Sequence, residues 1–346
     1  MTSNPYITDI LSQPAALRLA LDHYPSGQIE ELKSRLEKGE FSRIILTGMG
    51  SSYNAAYPAW LNLAGLSIPS IHVNTAELLH YAGPLVDSRT LLWMNSQSGR
   101  SVEIVRLLEM LKDRRPAFQL SLSNYPDSPL AQNADLPVSI HAGDEATVST
   151  KTFVNMLALL SLASAQLAGQ DWRSQLASMR SAADGMEAYL STWQDRVAEL
   201  DTLLTGLDQL LILGRGPSMG AVWNGSLINK EAAKCVFEGL NVADFRHGPM
   251  ELASDRLTLF VLEGVSQTAS INRELALEVK RLGGRIFWLS TRSDPELTTL
   301  ALPAVADAAR PLVEILPFQM LSILMARRNG LEPGKFRHIG KVTLQE

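Results

Sequence analysis

The chain has 346 residues, of which 46% are hydrophobic and 19% are charged, as in globular proteins that bury a large core. The formal net charge is −5 and no block of like charge occurs, which argues against a nucleic-acid partner. The single cysteine, Cys235, excludes an intramolecular disulfide and fits a reducing compartment, so we expect a cytoplasmic protein.

The amino-terminal segment, residues 1–34, is predicted to form a helical arm. It lacks the basic stretch followed by an apolar stretch that marks a signal peptide. The most apolar segment, residues 153–168, is too short for a membrane span and carries four polar side chains. We therefore expect a buried core helix there, and no membrane partner.

Two parts of the chain carry the same order of elements at nearly the same spacing. Each part has an apolar run that breaks into a glycine-rich turn, then a second apolar run, a helical pattern and a third apolar run. The matched pairs are 44–52 with 210–218, 91–94 with 257–260, 102–112 with 271–282, and 118–122 with 285–289.

Short apolar runs that alternate with helical patterns predict βαβ units and parallel sheets covered on both faces. The predicted fold class is α/β, with two tandem doubly wound, flavodoxin-like lobes, a helical arm and a helical linker. The predicted segments after the arm are the first lobe (35–168), the linker (169–204), the second lobe (205–330) and a tail (331–346). Ligands of such sheets lie beyond the carboxyl ends of the strands.

The turn Gly48-Met49-Gly50 follows a strand and invites comparison with the dinucleotide-binding fingerprint. Tyr53 stands where the third glycine belongs, and Met219 does so after Gly214-Arg215-Gly216. Nucleotide binding is therefore not favoured. No spacing of His, Cys, Asp and Glu suggests a metal, and we expect neither a metal nor an organic cofactor.

A hydroxyl-rich loop follows the run at 91–94 and opens the predicted helix at 102–112. A helix N-terminus presents unpaired N–H groups and partial positive charge, which suits a phosphate group. Ser96, Ser98 and Ser101 add hydroxyls and Gln97 adds an amide, more than helix capping requires. A second cluster, Ser149-Thr150-Lys151, is by itself typical of capping.

Two further residues are candidates for catalysis, but their positions in the sequence support this role less strongly. Glu231 lies within residues 227–236, which read as a helix, where most glutamates are solvated. His247 precedes Gly248-Pro249, which must turn, and a histidine at a turn of such a fold is a candidate for proton transfer. The remaining histidines are supporting candidates (His80, His338) or have no partner motif (His23, His72, His141).

At these residues the chain resembles the SIS (sugar isomerase) family of phosphosugar isomerases. In particular it is similar to the isomerase half of glucosamine-6-phosphate synthase, in order over nearly the whole length. The motifs that carry the resemblance are Gly50-Ser51-Ser52-Tyr53-Asn54, Ser96-Gln97-Ser98-Gly99, Val148-Ser149-Thr150-Lys151, Lys230-Glu231, His247-Gly248-Pro249 and Gly340-Lys341.

The resemblance implies a role for each matching residue. It implies that Glu231 moves a proton between C1 and C2 of an open-chain sugar, and that His247 assists ring opening from the neighbouring subunit of a homodimer. Lys341, in the tail, would approach the carbonyl carbon as an electrostatic or Schiff-base partner. The residues implied to hold the sugar phosphate are Ser51, Ser52, Ser96, Gln97, Ser98, Ser101 and Ser149.

Four departures from the synthase pattern put synthase activity in doubt. We expect no glutaminase half ahead of the arm, so glutamine would not be the nitrogen donor within this chain. Ile228 replaces a lysine three residues before Glu231, Arg100 replaces an acidic residue, and Gly340 replaces an alanine.

The sequence therefore predicts an enzyme that acts on an amino-sugar phosphate. The favoured reaction converts glucosamine 6-phosphate to fructose 6-phosphate and ammonia, as in standalone deaminases of this architecture. The alternatives are a fructosamine-6-phosphate deglycase, a glutamine-independent remnant of the synthase isomerase, and a non-catalytic sugar-phosphate-binding regulator. A deglycase would need a cation for an amino-acid carboxylate, and Arg100 or Lys230 could supply it.

Overall fold

The computed structural model describes residues 4–206, 209–343 and 345. Positions 1–3 of the predicted arm, 207–208 of the predicted second lobe, and 344 and 346 of the predicted tail lie outside the described residues.

The strands of the described residues are β1 (Arg43–Gly48), β2 (Ser70–Asn74), β3 (Thr90–Asn95), β4 (Phe118–Ser123), β5 (Leu136–Ser139), β6 (Gln209–Gly214), β7 (Glu238–Asn241), β8 (Leu257–Leu262), β9 (Arg285–Ser290) and β10 (Thr298–Ala301).

The α-helices are α1 (Pro5–Leu11), α2 (Gln13–Asp22), α3 (Ser26–Glu37), α4 (Gly50–Leu63), α5 (Thr75–His80), α6 (Val102–Asp113), α7 (Pro129–Gln132), α8 (Lys151–Leu167), α9 (Trp172–Ser191), α10 (Trp193–Leu203), α11 (Met219–Ile228), α12 (Val242–Arg246), α13 (Ala269–Arg281), α14 (Arg310–Glu314) and α15 (Leu316–Arg328). A π-helical turn spans Asn229–Ala233.

The chain forms two compact units, each assembled from separate segments. The first unit comprises Ala15–Glu145, Ser149–Leu176 and Arg337–Glu346. The second unit comprises Met1–Pro14, Ala146–Val148 and Ala177–Phe336. The domain boundaries given above stay a prediction.

The first unit contains a parallel sheet with the strand order β2-β1-β3-β4-β5. The second unit contains a parallel sheet with the order β10-β9-β8-β6-β7, which is the same topology read from the other edge. The matched apolar runs occupy the same positions in their sheets, and the matched helical patterns form the helices that follow β3 and β8. The predicted fold class, α/β with two doubly wound parallel sheets, is confirmed.

Central strands and edge strands differ in burial, which explains which of them the sequence reveals. Every residue of β3 and β8 is buried, because helices cover both faces of a parallel sheet. The edge strand β2 is only half-buried along its length, and β5 alternates between buried and more exposed positions. Such short, partly polar edge strands lack the continuous apolar run that identifies the central ones.

The apolar segment at 153–168 is a buried core helix, as expected. All residues of α8 are buried, including Asn155, whose amide donors bond within the first unit. Asn155 Nδ2 donates to the carbonyl oxygens of Ala16 and Ile140, each at 2.9 Å. These bonds tie α8 to neighbouring segments and satisfy both donors of the buried amide.

A second stretch, Asp307–Arg328, is long and apolar enough to cross a membrane by length and composition. Within it, 89% of the most apolar window is buried inside the protein. That degree of burial is typical of a core helix.

The helix predicted over residues 227–236 is present only in part, because it changes type and ends at Ala233. Helix α11 ends at Ile228 and continues as the π-helical turn, which Lys234 terminates with a left-handed φ of 56°. Asn229 contributes to the change, because its Nδ2 donates to the carbonyl oxygens of Gly225 (2.8 Å) and Phe318 (3.2 Å). Side-chain donors that enter a helical ladder in this way alter its hydrogen-bond spacing.

Close packing of α11 on α15 leads to a prediction about Gly225. A Cβ at this position would lie 2.7 Å from Phe318 Cδ2, inside a fully buried contact. Gly225→Ala should lower the free energy of unfolding by about 1–3 kcal/mol through overpacking. The control is Gly27→Ala in α3, where a Cβ meets nothing within 4 Å. The higher helix propensity of alanine should raise the free energy of unfolding of this variant by as much as about 1 kcal/mol. Equal stabilities of the two variants in urea unfolding would contradict the packing argument.

Candidate active site

The first sheet has a topological switch point between β1 and β3. These strands are neighbours, but the chain leaves β1 towards β2 on one side and β3 towards β4 on the other. Their carboxyl ends are aligned, with Gly48 opposite Asn95. A Cβ at Gly48 would come within 2.9 Å of the Asn95 carbonyl oxygen, so the close approach requires glycine. Ligands of open α/β sheets bind at such a crevice.

The loop from Ser96 to Ser101 lies on the β3 side of this crevice and is organised by its own hydroxyls. The Gly99 N–H donates to Ser96 Oγ and the Arg100 N–H donates to Ser98 Oγ, both at 3.1 Å. Both serines are buried, and each hydroxyl that accepts still has a proton to donate. Ser101 precedes α6, and its side chain makes no capping bond to that helix. The loop therefore brings hydroxyls and the first N–H groups of α6 to one place.

Gly99 allows the tight turn of this loop. Its φ is 61°, and a Cβ there would lie 2.3 Å from Ser128 Oγ. A side chain at this position would therefore be strained by its backbone and would collide with a buried residue. Gln97, in the same loop, is half-buried and its carbonyl oxygen accepts the Asn124 N–H at 3.0 Å.

Ser51 and Ser52 lie on the β1 side of the crevice, in the first turn of α4. That turn has no side-chain cap, and Gly50 begins it with a φ of 51°. Ser52 is buried and Ser51 is half-buried. Two helix N-termini, those of α4 and α6, therefore follow the two strands of the switch point, and their N–H groups favour an anion.

A buried glutamate that the sequence analysis missed organises the third cluster. The side chain of Glu145 is fully buried. Its Oε1 accepts from Thr150 N (2.8 Å), Thr150 Oγ1 (3.0 Å) and Thr152 N (3.1 Å), and its Oε2 accepts from Thr152 Oγ1 (2.6 Å). These four bonds fix the residues on either side of Lys151 and hold the half-buried Ser149 beside them. No simple sequence motif marks Glu145.

The tail residue Lys341 forms an ion pair with Glu145. Its Nζ lies 2.5 Å from Glu145 Oε2, and 22% of the lysine side chain is exposed. Two residues further on, the Thr343 carbonyl oxygen accepts the Val102 N–H at the start of α6, at 3.1 Å. The tail therefore connects the Ser149 cluster with the first turn of α6, which brings Lys341 into the first unit's set of predicted site residues.

His72, which had no partner motif in the sequence, supports the β1 side of the crevice. Its Nε2–H donates to the Tyr53 carbonyl oxygen at 3.0 Å, and its ring stacks on Tyr53 with 3.9 Å between centroids. Burial lowers the pKa of His72 to about 4, although the bond to Tyr53 opposes the shift. His72 is therefore neutral at pH 7 and braces the turn that carries Ser51 and Ser52.

The corresponding loop of the second sheet is filled by the protein's own charges. After β8, the Ser266 N–H donates to Asp307 Oδ2 at 2.8 Å. Glu263, at the end of the same strand, pairs with the buried guanidinium of Arg310 at 2.9 Å. This loop binds an internal carboxylate, whereas the loop of the first sheet presents hydroxyls. The contrast identifies the first sheet as the better place for an anionic ligand.

The other two predicted catalytic residues belong to the second unit. Glu231 lies on the π-helical turn after α11 and is half-buried. His247 follows α12 and is exposed, and the turn predicted after it is present, with a φ of 138° at Gly248. The roles of all the predicted site residues stay predictions at this point.

Comparisons with known proteins give a family match for part of the chain and named relatives for nearly all of it. Residues 40–165 match the SIS domain family. The chain is 27% identical over 351 residues to a glutamine–fructose-6-phosphate aminotransferase (isomerizing) from Pyrococcus horikoshii. The alignment covers 98% of this chain but only 57% of that protein, so the chain spans little more than half the length of this relative.

Solved structures share the fold over nearly the whole chain. The C-terminal domain of glucosamine-fructose-6-phosphate aminotransferase from Francisella tularensis has a TM-score of 0.82 at 22% identity, covering 96% of this chain and 98% of that one. Glucosamine-6-phosphate deaminase from Thermotoga maritima has a TM-score of 0.76 at 20% identity, covering 99% and 100%. At these identities the likeness concerns the fold.

The Glu145–Lys341 pair predicts unequal effects of removing its two members. Glu145→Gln leaves an ammonium group without its carboxylate and should lower the free energy of unfolding by about 3–5 kcal/mol. Lys341→Met should cost less, because the carboxylate keeps its four other donors. Urea unfolding of both variants is the measurement. A larger loss for Lys341→Met than for Glu145→Gln would contradict this account.

The lowered pKa of His72 predicts a pH dependence of stability. The unfolded chain binds a proton at this residue below pH 6.5, whereas the folded protein does so only near pH 4. The stabilising contribution is therefore complete above pH 6.5 and is lost as the pH falls towards 4. When the pH falls from 7 to 5, the free energy of unfolding of the wild type should fall by about 2 kcal/mol more than that of His72→Gln, whose side chain cannot be protonated. Equal losses in the two proteins would show that His72 is not held neutral.

Proposed function

We propose that this SIS-domain protein is an amino-sugar phosphate isomerase that also releases ammonia, with glucosamine 6-phosphate as substrate and fructose 6-phosphate as product. The observation that carries the proposal is the cradle of the first unit. This cradle consists of buried hydroxyls and two helix N-termini at the switch point. It also includes the tail residue Lys341, which pairs with the buried carboxylate of Glu145. The names of the relatives agree with this substrate class.

In the proposed binding mode the phosphate group is held by hydroxyls and by N–H groups. The hydroxyls of Ser96, Ser98 and Ser101 would donate to its oxygens, together with N–H groups of the first turn of α6 other than that of Val102, which the Thr343 carbonyl oxygen accepts. The remaining predicted residues of this cradle are Ser51, Ser52, Gln97 and Ser149. Binding energy from the phosphate, which does not react, would orient the sugar for proton transfer.

The proposed reaction starts from the open-chain aldehyde, which His247 helps to form by proton transfer during ring opening. Glu231 removes the proton from C2 and returns it to C1, so that C1 becomes an alcohol and C2 becomes an imine. Water then adds to C2, and the C2–N bond breaks to release ammonia and leave the ketone. The sum is one sugar phosphate and one water in, one ketose phosphate and one ammonia out.

The contact of Lys341 with Glu145 favours an electrostatic role for the lysine over a Schiff base. An ammonium group paired with a carboxylate has no lone pair with which to attack a carbonyl carbon. Its positive charge can instead stabilise the oxygen anion that develops at C1 during proton transfer. We therefore assign Lys341 to charge stabilisation.

The surroundings of Arg100 weaken one of the two cations, Arg100 and Lys230, that a deglycase could use. A deglycase must recognise the carboxylate of an amino acid, but the Arg100 guanidinium already pairs with Asp127 at 2.8 Å and lies over the Tyr125 ring at 5.4 Å. A cation whose charge is matched in this way attracts a second carboxylate weakly. A small leaving group, ammonia, needs no such contact.

We further propose a homodimer in which His247 serves the neighbouring subunit's site. The exposure of His247 on the second unit agrees with a role across a subunit interface. A monomer in sedimentation analysis that is fully active would overturn this part of the proposal.

The activity assay measures ammonia release from glucosamine 6-phosphate, galactosamine 6-phosphate and a fructosamine 6-phosphate. Release should be fastest from glucosamine 6-phosphate, and Glu231→Gln should lower kcat by about 10²–10⁴-fold because the proton shuttle is lost. The control is Glu238→Gln, on the exposed start of β7, which should retain wild-type activity.

Each other outcome of this assay contradicts one part of the proposal. Faster release of an amino acid from the fructosamine would identify a deglycase. Activity retained in Glu231→Gln would remove Glu231 from the mechanism. Phosphosugar binding without turnover of any substrate would identify a regulator.

A further inference from the structure

The π-helical turn that carries Glu231 ends in carbonyl groups that no continuing helix can satisfy. Helix ends leave their last carbonyl oxygens without partners from the helix itself. Here Cys235 N–H donates to the Asn229 carbonyl oxygen at 3.2 Å, which closes the turn. The carbonyl oxygens of Glu231, Ala232 and Ala233 are bound by other groups of the second unit.

Lys234 binds the turn through its side chain. Its Nζ donates to the carbonyl oxygen of Glu231, three residues earlier, and to the carbonyl oxygen of Lys335 at 2.6 Å. One ammonium group therefore joins the backbone of Glu231 to a segment about a hundred positions further along the chain. Bonds from a charged donor are stronger than those between neutral groups.

The same distant segment, residues 329–335, satisfies the other two carbonyl groups. Asn329 Nδ2 donates to the Ala233 carbonyl oxygen at 3.1 Å, and the Gly334 N–H donates to the Ala232 carbonyl oxygen at 3.4 Å. Residues 329–335 together with Lys234 thus bind three successive carbonyl groups of the turn. We call this set of contacts the carbonyl clamp.

The backbone at Lys234 is strained, which indicates that the clamp does more than finish a helix. Its φ of 56° lies in the left-handed region, where glycine or asparagine is the usual residue. A lysine is kept in this conformation although it costs free energy, and π-helical turns are likewise costly and concentrate at functional sites.

We infer that Lys234 is a positioning residue that fixes the backbone of Glu231 through the carbonyl clamp. The inference rests on the proposed function, in which the Glu231 carboxylate must reach two adjacent carbon atoms of one substrate. A carboxylate that serves both C2 and C1 tolerates little movement of its backbone, since a misplacement of about 1 Å can cost 10²-fold in rate. Lys234 itself does not touch the substrate in this account.

The test uses three variants of the full chain. Lys234→Met keeps the unbranched apolar stem and the left-handed strain but removes the donor, and Lys234→Arg restores a cationic donor. Lys335→Ala is the matched control, because it removes an exposed side chain that pairs with Glu332 and leaves the carbonyl acceptor in place. If Lys234→Met does not fold, Lys234→Gly removes the donor while relieving the strain at φ 56°.

The kinetic readout separates positioning from general damage. Lys234→Met should lower kcat for ammonia release by about ten- to a hundred-fold with little change in KM, Lys234→Arg should recover most of it, and Lys335→Ala should match the wild type. Unchanged kcat in Lys234→Met would overturn the inference. A fall in kcat of Lys234→Met that comes with a rise in KM, and that Lys234→Arg does not reverse, would also overturn the inference.

A second readout does not depend on activity. Amide hydrogen exchange at Gly334, whose N–H bonds within the clamp, and at Cys235, whose N–H closes the turn, should speed up in Lys234→Met and not in Lys335→Ala. If no phosphosugar is turned over but exchange responds in this way, the proposed function fails and the clamp stands. If exchange does not respond, the clamp itself is wrong.

Discussion

The buried carboxylate of Glu145 is the interaction on which the candidate site depends. A carboxylate without exposure to water must have all its oxygen lone pairs satisfied, and here two threonines supply four donors and Lys341 supplies a charge. Because the donors come from the start of α8 and from the tail, folding of the first unit brings both to one point. Glu145 therefore positions both the Ser149 cluster and Lys341.

The two sheets show how one topology can serve two purposes. Both have the same strand order, so both create a crevice where the connections diverge. In the second unit the loop after β8 binds Asp307 and the neighbouring Glu263 pairs with Arg310. In the first unit the equivalent loop is built from serines that accept backbone N–H groups. The difference lies in loop chemistry and not in the fold, which is why function must be argued from the site.

The sequence predicts the central strands and the serine loop because their signals are local. Continuous apolar runs mark β1, β3 and β8, and three serines before a helix mark the loop after β3. The half-buried edge strand β2 has no such run, because an edge strand that is only half-buried can carry polar residues. Glu145 was missed because the nearby Thr150 and Thr152 form no recognised motif with it, and because its charged partner, Lys341, is distant in the sequence.

The π-helical turn at Glu231 could not be predicted from residues 227–236 alone. The local pattern there is helical, and the partners that divert it come from elsewhere: the Phe318 carbonyl oxygen binds Asn229, and residues 329–335 bind the carbonyl groups of the turn. Local propensity is overridden by these tertiary hydrogen bonds. The places where the sequence prediction fails, at Glu145 and around Glu231, are therefore those at which distant segments meet proposed functional residues.

The central claim is that the phosphate group is held by the serine loop and the start of α6 in the first unit. The most direct measurement is hydrogen exchange by mass spectrometry with saturating glucosamine 6-phosphate, compared with glucosamine, which lacks the phosphate. The amides of residues 97–104 should exchange more slowly with the phosphorylated sugar only. Binding of glucosamine 6-phosphate without protection of these amides would contradict the central claim.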